Sequence, residues 1–339
     1  MMVPPQAVST PDKRHNLRES DCLTIANSAL SLSLLLLGAP GSRKTTYEAL
    51  LALQLLRRGI PQVLIDPTGT LSEALLFLLL RYLRKVPPED RAAYWQKLRF
   101  IDVGSQDVVT SFPIFYRTGS ESLREVSERF IETLRVANPT LVKQASVTWP
   151  ALRRVGINAG MVLAALGYGG LTEIESPLFN TLEWLRSGKF QAAINNCPEV
   201  LPAVSYFRGQ YLPLFRSAKS QLVSAFLDHV FTLSYDPKLR LLFGGRPGLN
   251  WEDVEQGQFV ILDFKNVTDH VAKWFALLWI FQNLFEHITQ RGRRHTPLAV
   301  LIDEFADLSQ QVTDGVNPLS MLFDTLIPRY CRNNQIFCL

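Results

Sequence analysis

Apolar runs of strand length alternate with stretches of helical period along the first third of the chain. Cys22–Ala26 and Ala29–Leu37 read as strands, and Thr45–Arg58 as a helix stopped by Gly59. Pro61–Ile65 reads as a strand closing on a turn, Asp66-Pro67-Thr68-Gly69. Ser72–Lys85 has helical period up to Pro87-Pro88, Pro88–Lys97 forms a shorter helix, and Arg99–Val103 another strand. From about Gly119 the period turns helical. Ser122–Ala137 comes first, with Ser122 and Glu125 spaced as a capping box, then Trp149–Leu166, Leu171–Arg186 and Gln210–Leu233. Phe179, Trp184, Phe207, Phe215 and Phe226 in this stretch are expected in its core. Strand patterning returns at Gln258–Asp263, and the helix His270–Gln290 leads through a basic turn, Gln290–His295, to Pro297–Ile302. Leu298–Ile302 is apolar without interruption, the mark of a central parallel strand. A helix over about Asn317–Leu326 and an apolar fragment, Gln335–Leu339, close the chain.

Alternation of strand and helix, interrupted by a helix-only stretch, predicts an α/β fold: a parallel sheet covered on both faces, carrying an all-helical insertion. The expected boundaries are a loose tail over residues 1–20, a discontinuous sheet domain over 21–118 and 245–339, and the insertion over 119–244.

Composition narrows the class. Of 339 residues 47% are hydrophobic and 19% charged, which suits a chain with a large core and excludes a disordered one. The net charge of +4 permits a nucleic-acid partner without demanding one. Cys22, Cys197, Cys331 and Cys338 have no metal-ligand spacing, and the polar, proline-bearing N-terminus is not a secretory signal, so reduced thiols in the cytoplasm are expected. Leu30–Leu37 and Ala74–Leu80 are far shorter than the roughly 20 apolar residues that span a bilayer, so no membrane segment is expected.

The chemistry begins between the strand ending at Leu37 and the helix beginning at Thr45. Gly38-Ala39-Pro40-Gly41-Ser42-Arg43-Lys44-Thr45-Thr46 follows the phosphate-binding pattern G-x-x-x-x-G-K-[ST], with Arg43 where the second glycine belongs. In such a loop successive N–H groups form a concave nest and the following helix directs its positive end at the same point. Gly38 and Gly41 let the backbone approach phosphate, Lys44 reaches the β- and γ-phosphates, and the Thr45 hydroxyl takes a place on Mg²⁺. Arg43 can still donate its N–H, provided its φ suits a residue with a Cβ.

A phosphate loop needs a carboxylate on a neighbouring strand. Asp66, Asp102, Asp263 and Asp303-Glu304 all stand at strand C-terminal ends, where open α/β sheets carry their chemistry. Only the last pair offers a metal-binding carboxylate, Asp303, beside a base, Glu304, that could polarise water. Asp66, before a proline, reads as a turn former.

With these residues the chain resembles the HerA/FtsK superfamily of DNA-pumping ATPases, most of all the coupling proteins of conjugative type IV secretion and HerA-like helicases. The likeness rests on LLLLGAPGSRKTT, VLIDPTGTL, WEDVEQGQFVILDF and PLAVLIDEFADL, the last being the most specific. It implies a RecA-like P-loop NTPase sheet, ATP and Mg²⁺ as ligands, a ring of six subunits around DNA, and secretion or relaxosome proteins as partners. It implies a place in the cytoplasm, at the inner face of the inner membrane. Arg291, Arg293 and Arg294 would form a basic turn for the DNA backbone, with an ordinary solvated loop as the plainer reading. Arg332 falls near the position of the family's junction arginine. Thr68 replaces the family's usual Lys, and LIPRYCRNNQIFCL stops inside the strand that leads to its motif Gln, so the last part of the sheet is expected to be cut short. Two alternatives stay open: a degenerate member that binds nucleotide in a structural or regulatory role, and a small nucleotide kinase, whose loop GAPGS-x-K-T resembles.

Overall fold

A computed structural model describes residues 43–105, 107–117, 121–138, 149–291, 297–304 and 336–338. Its first elements are helix α1 (Lys44–Arg57), strand β1 (Gln62–Asp66), helices α2 (Thr70–Leu83) and α3 (Pro88–Lys97), and strand β2 (Leu98–Asp102). Helices α4 (Leu123–Ala137), α5 (Trp149–Ala165) and α6 (Arg216–Tyr235) follow, with short helical turns between the last two. Strand β3 (Phe259–Asp263), helix α7 (His270–Arg291), and strands β4 (Leu298–Ile302) and β5 (Ile336–Cys338) complete the order.

The strands form one parallel sheet in the order β2-β3-β1-β4-β5. Every residue of β1, β3 and β4 is buried, because helices cover both faces. The period of two sorts their side chains. Val63, Ile65, Val260, Leu262, Val300 and Ile302 join a core shared with α4, α5 and α7, whereas Leu64, Phe259, Ile261, Ala299 and Leu301 face α1 and α2. The register sets Asp66 opposite Asp263, and Asp263 opposite Asp102, so the acidic strand ends line one edge of the sheet.

The helical stretch is built on α4 and α5. Ser122 and Glu125 close the expected capping box, with Ser122 N–H donating to Glu125 Oε2 at 2.8 Å and Glu125 N–H to Ser122 Oγ at 3.2 Å. Gly156 and Gly160 lie where α5 meets α4: a Cβ on Gly160 would come within 2.9 Å of Phe115 and Ser127. Arg129 of α4 lies 4.8 Å from the ring centre of Trp279 on α7 and pairs with Glu121 at 3.0 Å.

Several sequence expectations change. Leu171–Arg186 is a 3₁₀ turn and two short helices, Glu175–Phe179 and Thr181–Arg186. Pro177 has no N–H to give the Glu173 carbonyl, so one continuous helix would lose a bond there. Pro213 acts likewise on the expected Gln210–Leu233 helix, which becomes a π turn, Phe207–Tyr211, followed by α6 from Arg216. Gly188–Asn196, Leu201–Tyr206, Pro237–Leu242 and Trp251–Glu255 are helices the patterning did not announce. Trp184, Phe207 and Phe226 are buried as expected, but Phe179 and Phe215 are 60% and 84% exposed, each beside one of these helix breaks. The expected strands over 22–26 and 29–37, the tail, and the helix over 317–326 lie outside the described residues. No helix among the described residues is long and apolar enough to cross a membrane.

Candidate functional site

Helix α1 starts at Lys44, and the residue before it, Arg43, has φ 66° and ψ 28°. Arg43, its N-cap residue, does not cap the helix with its side chain, and the first turn holds no acidic residue. Lys44, Thr45 and Thr46 thus surround a helix N-terminus whose outward N–H groups and positive dipole end suit an anion. Gly38, Ala39, Pro40, Gly41 and Ser42 lie outside the described residues, as do Arg332 and the basic turn at Arg293 and Arg294.

The acidic strand ends differ in what occupies them. Asp66 is fully buried, and its carboxylate accepts from Gly69 N–H at 2.7 Å, Ser72 N–H at 2.7 Å and Thr68 N–H at 3.0 Å, with the Thr68 hydroxyl oxygen 3.3 Å away. It shapes the turn and serves the start of α2, which explains why that helix begins at Thr70 rather than Ser72. Asp102 accepts from Gly104 N–H at 3.0 Å and Asn266 Nδ2 at 2.7 Å, and Asp263 from Lys265 N–H at 2.8 Å. Each of these three aspartates accepts an N–H from a residue just beyond its own strand, and Asp102 also a bond from beyond β3.

Asp303 is held differently. Its N–H donates to the Ile65 carbonyl at 3.1 Å, continuing the β1–β4 pairing, and its side chain is 5% exposed. Oδ1 accepts from Glu304 N–H at 3.0 Å, and Oδ2 from the Thr70 hydroxyl at 3.2 Å. Burial, then the charge of Asp66, raise its pKa above the usual carboxylate range, while the Glu304 N–H and Thr70 hydroxyl oppose the rise. Glu304 follows with φ 50° and an exposed side chain. Arg43 and Glu304 are the non-glycine residues with positive φ among those described.

Glu48 was not singled out by its sequence position. It stands one helical turn after Lys44 on α1, and its pKa is pushed up to about 7, first by burial and then by the negative charge of Asp303, with Lys44 pulling the other way. Its Oε2 is buried without a hydrogen-bond partner. The fold therefore brings Lys44 and Glu48 of α1, Thr70 of α2, and Asp303 and Glu304 after β4 to one edge. Only the spacing of Glu48 from Lys44 could have pointed to it, and that spacing is shared by any helix face.

An unpartnered buried carboxylate oxygen and two carboxyls with raised pKa values describe a place short of positive charge, which a divalent cation would supply. Among the described residues no three acidic, His or Cys side chains converge as a complete metal cage. Mg²⁺ bound chiefly through phosphate oxygens and water needs no such cage, only a hydroxyl such as Thr45 and a carboxylate such as Asp303.

No family model and no curated protein matches the sequence. Among solved structures, the unbound monoclinic form of the bacterial conjugative coupling protein TrwBdeltaN70 matches with a TM-score of 0.52 and 14% identity, over 89% of this chain. The chain spans 60% of that protein's length. The likeness is one of fold, a RecA-like parallel α/β sheet.

Proposed function

We propose that the chain is the motor domain of an ATP-dependent DNA translocase, of the conjugative coupling-protein or HerA type, working as a ring of six. The observation that carries the reading is the meeting of a helix N-terminus bearing Lys44 and Thr45, which its N-cap residue Arg43 leaves uncapped, with Asp303, the buried aspartate at the end of β4 whose carboxylate the Thr70 hydroxyl also reaches. The fold likeness to a coupling protein favours a DNA motor over a nucleotide kinase.

In this reading the amides of residues 38–46 and the Lys44 ammonium bind the phosphates, and Thr45 and Asp303 hold Mg²⁺. Bound there, Mg²⁺ would offset charge on the phosphate oxygens. Glu304 orients a water and takes its proton as the water oxygen bonds to the γ-phosphorus and the bond to the β–γ bridging oxygen breaks. The left-handed conformation at Arg43 supports activity over degeneracy: the arginine keeps the backbone that a glycine would adopt, so its N–H can still line the loop.

Steady-state ATP turnover with and without single- and double-stranded DNA tests the proposal. Lys44→Ala and Glu304→Gln should each lower kcat by about 100-fold or more, and Glu304→Gln should still bind nucleotide. DNA should stimulate the unaltered protein. Undiminished turnover in Glu304→Gln would overturn the assignment, and phosphoryl transfer to a nucleoside monophosphate would favour the kinase reading.

A further inference from the structure

Thr70 opens α2, yet its side chain does no work for that helix. The residue before it is Gly69, which has no side chain to cap with, and Asp66 already accepts the N–H groups of Gly69 and Ser72. The Thr70 hydroxyl reaches instead across the sheet edge to Asp303 Oδ2, 233 positions away in sequence. With Glu304 N–H on Oδ1, both oxygens of the Asp303 carboxylate have a donor, which restricts its plane.

Thr68 extends the arrangement. Its Oγ1 lies 2.8 Å from Thr70 Oγ1, and since the Thr70 proton is engaged by Asp303, Thr68 is the donor in that contact. The competing bond from Thr68 to Asp66 Oδ1 is longer, at 3.3 Å. Thr68 stands where the resembling family has Lys, and a hydroxyl there does what an ammonium would not. It passes a directed hydrogen bond onward without adding charge beside the carboxylate.

We propose that Thr70 is a positioning residue that holds Asp303 ready for a divalent cation, with Thr68 orienting Thr70. The inference rests on the reading of Asp303 as the cation-binding carboxylate. Residues that orient a metal-binding carboxylate typically change metal affinity about 10- to 100-fold when removed.

The test is binding of a fluorescent N-methylanthraniloyl ADP, measured with Mg²⁺ and again with a chelator, so that the ratio isolates the contribution of the cation. Thr70→Val should reduce that ratio about tenfold while leaving chelator-present affinity unchanged. Thr70→Ser should restore it, and Thr68→Val should lower it by a smaller factor. A normal ratio in Thr70→Val, with the ratio abolished in Asp303→Asn, would overturn the positioning role and leave the site assignment standing. Equal loss with and without Mg²⁺ in Thr70→Val would also overturn it, marking the residue as structural. A normal ratio in Asp303→Asn would remove the assignment itself, and the proposal with it.

Discussion

Arg43 carries a Cβ into the left-handed region, at a cost on the order of 1 kcal/mol relative to glycine. The arginine side chain is exposed, and its guanidinium has no ion-pair partner among the described residues that would offset the cost. Arg43→Gly is therefore expected to raise unfolding stability by about 1 kcal/mol without weakening nucleotide binding, read by denaturant melts and by nucleotide titration. A loss of nucleotide affinity would instead give the guanidinium a place on the phosphates. Glu48 yields a second prediction at this scale. Its pKa is about 7 in the folded protein against 4.5 for the free group, so folding favours its protonated form. The stability it contributes is complete below 4.5 and is lost as the pH rises through 7. In melts without divalent cation, Glu48→Gln should match the unaltered protein below about pH 4.5, gain on it between 4.5 and 7, and hold a constant advantage above 7. A difference that does not change between 4.5 and 7 would mean that Glu48 is not the group held protonated.

Among elements, the α4–α5 contact is tightly constrained. A Cβ on Gly156 would overlap the end of the Ile131 side chain and come within 2.7 Å of the Phe226 ring, both buried. Alanine has the better helix propensity by about 1 kcal/mol, but here it meets filled space on two sides. Gly156→Ala is expected to destabilise the protein by about 1–3 kcal/mol in a denaturant melt, whereas Gly188→Ala, with nothing near its Cβ, should be close to neutral. The same elements show what the sequence could disclose. Apolar runs such as Leu298–Ile302 are unambiguous because a strand buried on both faces has no polar position to spare. The Ser122–Glu125 cap is local chemistry and can be read as such. Pro177 and Pro213 were equally visible, but each sits inside an otherwise helical period, and the period masks the missing N–H. The candidate site divides in the same way. Lys44, Thr45 and Asp303 carry motif signals. Glu48 and Thr70 do not, because their significance is a distance across the sheet edge that only the packing of α1 and α2 creates.

On the scale of the whole molecule, the helical stretch and the sheet share a core. Phe130 of α4, Val155 of α5 and Phe226 of α6 belong to the same buried cluster as Val63, Val260 and Val300 of the sheet, with Phe275 and Trp279 of α7 between them. Phe130 meets Phe275 edge to face at 6.1 Å, and Phe275 meets Phe243 at 5.1 Å, so aromatic contacts run without a gap from the helical stretch to the helix that covers the sheet. Close-packed interiors transmit displacement rather than absorb it. The proposed motor function would need this of the body between the candidate site and the part that moves. The expected consequence is one cooperative unfolding transition: far-ultraviolet circular dichroism and tryptophan fluorescence should give coincident melts, and Mg–nucleotide should shift both by the same amount. Residues 119–244 expressed alone should not fold, because removing the sheet would strip the α7 face from α4. Two separate transitions, with nucleotide moving only one, would make the helical stretch an independent domain. Any coupling to the nucleotide edge would then have to run through its two chain connections instead of a shared core.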